Sequence, residues 1–369
     1  MEPERSGVEA AILGDGAVAP FGLGGRERLR RQLSRLGVAS ADAPERATLI
    51  LSGDRLYGAA IPGALADAPP GTALLDDAGR PCAVRVAPGE GAAAAEALAD
   101  GRAPEGSRAM TGRELAGRHD ATLRKRADPV VMPLTDRDAA ERALYAAAYK
   151  GVTDLVTKHV WPAPALAATR LCARLGITPN QVTWASVILT VLAFWLFWRG
   201  DFLPGLAAAW AMTFLDTVDG KLARVTLGGS RFGDVLDHGL DLVHPPFWWW
   251  AWGVGCAAAG DPLGDGGLTV GVIVAGYVLQ RGEEGLFLAR HGIEMHVWRR
   301  FDSLFRQVTA RRNPNLLILS VAVLLGAPRE GLIAVAVWTV LCFGVHAVRI
   351  VQAELARRRG RVVSWLAEG

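Results

Sequence analysis

Short apolar runs broken by polar and glycine-rich stretches fill the first third of the chain, and long apolar runs fill the rest. Runs at 10–13, 47–52 and 83–86 read as buried strands, and residues 25–36 carry an arginine-rich amphipathic pattern closed by Gly37, which predicts a helix. Strand, helix and strand in that order predict a small α/β layer. From 87 to about 128, Gly, Ala, Glu and Arg show no sustained period, and a loosely ordered return is expected there. Residues 138–160 and 160–175 read as helices. The second carries Trp161, Arg170 and Arg174 among apolar residues, the composition of a helix lying in a membrane interface. Six candidate spans follow, at 182–198, 202–215, 235–259, 267–289, 316–327 and 331–348. The second and fifth are short and the third starts with carboxylates, so each is expected to continue as helix beyond its apolar part.

The expected fold is therefore an all-α integral membrane domain of six transmembrane helices, preceded by a small cytoplasmic α/β domain. Its divisions are 1–128 for the α/β domain, 129–178 for a linker with juxtamembrane amphipathic helices, 179–355 for the membrane domain and 356–369 for a basic tail. Composition agrees: 51% of the 369 residues are hydrophobic and all 12 tryptophans lie at or beyond Trp161. Mean hydropathy is +0.22. A net charge of +3 is too small for the basic stripe of a nucleic-acid binder. The arginines are placed unevenly. Fourteen Lys and Arg, from Lys221 to Arg361, lie on one set of loops and the tail, against Arg199 and Arg329 on the other set. The positive-inside rule puts both termini, and the site described next, on the cytoplasmic face of a multi-pass protein of the cytoplasmic membrane. The first 16 residues mix Glu, Arg and Asp and predict no leader. Cys82, Cys172, Cys256 and Cys342 are too scattered for a metal or redox motif and are expected as free thiols.

Between the second and third spans stand Asp216, Asp219, Gly220, Ala223 and Arg224, then eight residues, then Gly233, Asp237 and Asp241. On a helix of 3.6 residues per turn the first four share one stripe, and the last three, four apart, share another. Two such helices side by side bring four carboxylates to one end of the membrane. Carboxylates are costly there unless neutralised. Lys221 and Arg224 offset part of the charge, but four oxyanions suit Mg2+ or Mn2+, which prefer oxygen ligands and bridge to phosphates. A network of helix-end ion pairs is the plainer alternative for any single pair.

This pattern, D-x2-D-G-x2-A-R-x8-G-x3-D-x3-D, resembles the signature of the CDP-alcohol phosphotransferases at every fixed position, and Pro179-Asn180-Gln181-Val182-Thr183 is similar to the P-N-x-x-T that opens the family's first membrane helix. The resemblance covers about 149–355. It implies transfer of a phosphoalcohol group from a CDP-alcohol to an acceptor alcohol, plain or phosphorylated, with release of CMP, in phospholipid or polar-headgroup synthesis. Asp216, Asp219, Asp237 and Asp241 would hold two Mg2+ or Mn2+ ions, with Asp241 also the general base. Gly220, Ala223 and Gly233 would leave room for the nucleotide, Arg224 would contact its diphosphate, and Asn180 and Thr183 would line the cytidine side. Members are often homodimers. Many have Arg directly after the last Asp, whereas Leu242 stands here, ahead of His244, Pro245 and Pro246. The rival readings are a membrane prenyltransferase with an Asp-rich metal site and a non-enzymatic cation transporter.

Other features bear on the acceptor side. His244 lies on the carboxylate face one turn past Asp241, as an acceptor contact or a packing histidine, and Pro245 is expected to kink its helix. Arg306, Arg311, Arg312 and Asn313 border the fifth span; the arginines fit a pocket for an acceptor phosphate or a positive-inside flank. Phe247 to Trp250 is expected as an interfacial or lipid-facing anchor. The α/β domain resembles the start of a nucleotidyltransferase, with Asp54 in the place of that fold's metal-binding Asp. It lacks the G-x-G-x-R loop and has no Lys before Lys125, so a degenerate domain is expected.

Overall fold

The computed structural model describes residues 7–117, 119–127 and 129–367, leaving out the side chains of 119, 231, 232, 234, 237 and 238. It is mostly helical with a small α/β N-terminal region, and it divides into two compact units. One runs through Asp120 and takes in Arg126–Tyr149 and Ala223–Gly228; the other comprises Ala121–Lys125, Lys150–Leu222 and the chain from Gly229 on.

The first unit begins β1 (Glu9–Leu13), α1 (Gly25–Arg35), β2 (Ala39–Ser40), β3 (Leu49–Ser52), β4 (Arg55–Tyr57), α2 (Ile61–Ala66), β5 (Thr72–Leu75) and β6 (Pro81–Arg85). It continues with α3 (Gly91–Ala99), β7 (Arg108–Thr111), α4 (Gly112–Ala116), the short strands β8 (His119–Asp120), β9 (Lys125–Arg126) and β10 (Val131–Pro133), and α5 (Arg137–Ala147). Among the described residues six strands form one sheet in the order β2-β1-β3-β6-β5-β7, parallel on both sides of β1 and between β5 and β7, antiparallel where β6 meets β3 and β5. Helices cover both faces: Leu29, Leu33, Leu49 and Leu51 pack on one side, Ile50, Val84, Ala94 and Leu98 on the other. The loosely ordered return expected from 87 to 128 is instead α3, β7 and α4. Their sequences hid them. Helix α3 is nearly all small apolar residues with little contrast between faces, and β7 is a polar edge strand. The expected helix at 138–160 is α5 followed by a loop and a π-turn at Val156–Val160. In this unit three arginines of α1 donate to the carbonyls that end a long helix: Arg28 to Val225 (2.7 Å), Arg31 to Thr226 (3.3 Å) and Arg35 to Leu227 (2.8 Å). Cations suit a helix C-terminus, whose last carbonyls lack partners.

The second unit is helical: α6 (Pro162–Arg174), α7 (Pro179–Trp198), α8 (Phe202–Thr226, whose last turn groups with the first unit), α9 (Arg231–Ala258), α10 (Leu268–His291), α11 (Arg300–Phe305), α12 (Arg312–Leu324) and α13 (Pro328–Arg357). Phe197, Met212, Trp248, Trp249, Trp252, Ile273, Leu316 and Leu332 form its core. The aromatic run therefore splits: Phe247 and Trp250 face outward as expected, while Trp248 and Trp249 are core, the first donating its indole N–H to the Thr190 carbonyl at 3.0 Å. Gly255 lets α9 approach the end of α7, where a Cβ would meet the Phe197 carbonyl oxygen at 1.9 Å. Among the described residues two helices, α7 and α13, are long and apolar enough to cross a membrane. The six expected spans are thus not all met by length and apolarity. Helices α8, α9 and α10 carry the charged segments from Asp216, from Asp234 and around Glu283, and α12 has 13 residues.

Candidate active site

Helix α7 starts where the sequence dictates. Thr178 accepts from the Gln181 N–H, Gln181 accepts in return from the Thr178 N–H at 2.8 Å, and Pro179 fills the first helical position, where no N–H is needed. This capping box sets Asn180 and Thr183 on the first turn. The Thr183 hydroxyl donates to Asp219 Oδ2 at 2.8 Å, so the residue expected on the cytidine side steadies a carboxylate. Asn180 Oδ1 accepts from the Ser230 hydroxyl at 3.2 Å and lies 2.4 Å from where a Cβ on residue 233 would stand. A Cβ at 233 would have to push the Asn180 side chain aside.

Asp216 and Asp219 come from α8 and Asp241 from α9. Arg312, at the start of α12, joins two of them: Nη2 meets Asp216 Oδ2 at 2.5 Å and Nη1 meets Asp241 Oδ1. Asp219 is 3% exposed, and its Oδ1 is buried without a hydrogen-bond partner among the described residues. The side chain of Asp237 lies outside the described residues; its backbone continues α9. Gly220 is half-buried one residue beyond Asp219. Ala223 and Arg224 follow on the last turn of α8, where Arg224 donates to the Ala148 carbonyl at 3.3 Å.

The sequence gives no hint of how α9 is held. Pro245 and Pro246 lack the N–H groups that would bond the carbonyls of Asp241 and Leu242, four residues earlier. The Tyr277 hydroxyl of α10 lies 3.4 Å from the first carbonyl and 3.0 Å from the second, and donates there instead. His244 is buried, its Nδ1 donating to the Leu240 carbonyl at 2.7 Å while Nε2 has no partner among the described residues.

The three arginines expected at an acceptor phosphate part company. Arg312 goes to the aspartates, and Arg311 pairs with Glu284. Arg306 is half-buried, its Nε and Nη1 atoms shielded from solvent with no hydrogen-bond partner among the described residues, and desolvation holds its pKa below the usual guanidinium range. Asp154, unmarked in the sequence reading, faces it. Burial raises the Asp154 pKa, but the Thr157 N–H at 3.0 Å, the charge of Arg306 and the Asn313 amide at 3.0 Å outweigh burial and hold it low.

The donor set fits a divalent ion. Asp216, Asp219 and Asp241 offer only oxygen, one buried oxygen of Asp219 lacks a partner, and two of the carboxylates already attract a cation, the Arg312 guanidinium. In the α/β unit the corresponding loop is closed by its own residues. Asp15 Oδ1 accepts from the backbone N–H groups of Gly16 (2.8 Å) and Arg26 (3.0 Å) at the start of α1, and Asp54 pairs with Arg55 at 2.6 Å.

Carboxylates are gathered at the ends of two adjoining helices, behind a capped Pro-Asn helix start. Residues 176–299 match the family described as CDP-alcohol phosphatidyltransferase. Among its relatives, the phosphatidylinositol phosphate synthase of Mycobacterium marinum is 36% identical over 88 residues, 22% of this chain and 38% of that protein. The archaetidylinositol phosphate synthase of Pyrococcus horikoshii is 43% identical over 72 residues, 19% of this chain and 38% of that protein. The chain thus spans less than two fifths of the length of these curated relatives. The crystal structure of the Mycobacterium tuberculosis phosphatidylinositol phosphate synthase matches 50% of this chain and 94% of its own, at 21% identity and a TM-score of 0.38.

Proposed function

We propose that the protein transfers a phosphoalcohol group from a CDP-alcohol to a phosphorylated acceptor alcohol and releases CMP, within a cytoplasmic membrane and at its inner face. The observation that carries this is the convergence of Asp216, Asp219 and Asp241, one buried oxygen unsatisfied, inside the full signature. The names of the relatives, inositol phosphate synthases among them, favour a phosphorylated polyol as acceptor. The Nε and Nη1 of Arg306, without hydrogen-bond partners among the described residues, favour it independently, because buried donors left unmade are costly and phosphate oxygens would accept from them.

Asp216, Asp219, Asp237 and Asp241 would hold the divalent ions, Mg2+ or Mn2+, which when bound offset diphosphate charge and stabilise departing CMP. The chain's own residues do the rest. Thr183 fixes Asp219, Tyr277 fixes the backbone of Asp241, and Arg312 pins Asp241 Oδ1, leaving Oδ2 to take the acceptor hydroxyl proton. The acceptor oxygen then bonds to the phosphorus bearing the donor alcohol, and the bridge from that phosphorus to CMP breaks. Asn180, Gly220, Ala223, Arg224 and Gly233 form the nucleotide side. Arg306 receives the acceptor phosphate, while Arg311 stays with Glu284 and His244 lies beside Asp241. The α/β unit is non-catalytic in this reading, since Asp15 fills the anion-binding start of α1.

Six membrane helices, α7 to α10, α12 and α13, complete the proposal. Trp184, Ile188, Val191 and Trp195 form an exposed apolar stripe along α7, and Val337, Val340, Leu341 and Val348 one along α13, as lipid-facing surfaces do. The test is CMP release by purified protein given CDP-diacylglycerol, Mg2+ and a panel of free and phosphorylated polyols. CMP formed only with an acceptor supports the reading; CMP absent with every acceptor overturns it.

A further inference from the structure

We propose that Glu284, His296 and His346 form a second cation site, separate from the aspartates, for a transition metal ion of the zinc class. Glu284 stands on α10, His296 in the 3-10 turn Met295–Val297 and His346 on α13, and one ligand atom from each lies within 4.8 Å of the others. The inference does not rest on the proposed phosphotransfer.

His346 is the starting point. It is 1% exposed, and both ring nitrogens are buried without a hydrogen-bond partner among the described residues. A buried polar group left so costs roughly 1–3 kcal/mol, and a ligand removes that cost. Glu283 Oε2 faces its Nδ1 at 3.5 Å, the arrangement of a carboxylate behind a metal-bound imidazole, which leaves Nε2 for the ion. His296 Nε2 lies 3.0 Å from Glu284 Oε1. Zinc binds nitrogen and oxygen at about 2.0–2.1 Å, so an ion can take the place of the proton between two atoms so spaced. The third ligand has to close from 4.8 Å to the roughly 3.3 Å that separates ligands of a tetrahedral ion.

Charge decides which ion. Glu283 and Glu284 favour a cation, but Arg311 pairs with Glu284, Arg281 stands 3.8 Å from it, and Arg306 acts on it electrostatically. Attraction alone is therefore weak here. Bonding to imidazole has to carry the affinity, which selects zinc-like ions over magnesium.

Co2+ serves as the probe, added to the chelator-stripped full chain in detergent, with bound Zn2+ counted by elemental analysis in parallel. One equivalent of Co2+ is expected to give visible bands of nitrogen ligation, abolished by His346→Gln and by His296→Gln and unmoved by Asp216→Asn or excess Mg2+. X-ray absorption of the wild-type zinc form should show two imidazole nitrogens, a reading that needs no variant to fold. Loss of the bands in Asp216→Asn alone, an all-oxygen shell, or binding of inorganic phosphate at this cluster with no metal uptake would each overturn the proposal.

Discussion

In the proposed reaction Asp241 takes the acceptor proton, and its variant is the sharpest test. Asp241→Asn keeps the shape and the contact with Arg312 but cannot take a proton, so kcat is expected to fall by about 10²–10⁴-fold with the protein's elution and melting unchanged. Activity equal to wild type removes Asp241 from the mechanism. Gly233 tests packing at the same scale. A methyl group there would stand 2.4 Å from Asn180 Oδ1, so Gly233→Ala must displace Asn180, and KM for the CDP-alcohol should rise at least tenfold, about 1.4 kcal/mol. An unchanged KM separates Asn180 from the nucleotide. In the α/β unit the side chain of Asp76 is fully buried. Burial raises its pKa, yet the N–H groups of Arg80 and Ala78 and the guanidiniums of Arg80 and Arg55 prevail and hold it below the usual range. A carboxyl lowered on folding stabilises above its unfolded pKa, and that stability fades as pH falls through the folded value. Amide exchange in β5 and β6 of the full chain should therefore quicken below about pH 4, and Asp76→Asn should flatten that dependence; an identical acid response in both proteins contradicts this.

At the scale of elements, α9 shows how a helix can be broken and mended from outside. Two prolines withdraw donors from the carbonyls of Asp241 and Leu242, and one hydroxyl from α10 serves both. Tyr277→Phe leaves those carbonyls short of a donor and lets the turn bearing Asp241 drift. Turnover is expected to drop roughly tenfold with little change in KM, the mark of lost positioning. Adding Pro245→Ala, which supplies an N–H to the Asp241 carbonyl, should restore part of it. Equal loss in the single and double variants shows that Tyr277 acts otherwise.

For the whole molecule, what could be read in advance was what recurs at helical spacing. Asp216, Asp219 and Asp241 declared themselves by intervals of three and four, and the helix start at Pro179 by its cap. Hidden were the contacts that chain distance conceals. Arg312 meets Asp216 from 96 residues away and Thr183 meets Asp219 from 36, and no local period encodes either. Glu283 and Glu284 could have been flagged, since paired carboxylates in an apolar helix need a partner. The sheet was legible in its central strands β1, β3 and β6, whose residues are aliphatic, and lost at the polar edge β7. Topology is still open to a direct check. With both termini inside, a cysteine placed at Gly264 should label from outside intact cells, and one at Gly360 only after permeabilisation; the reverse pattern inverts the proposed orientation.

The fork of Arg312 across Asp216 and Asp241 has a practical corollary. A guanidinium already offsets half the charge of these two acids and ties them together, so stripping divalent ions should leave the helices at rest instead of prising them apart. Inactivation by chelators ought to be a pause, undone within the time of mixing when Mg2+ returns, and preparations stored in chelator should keep their full capacity.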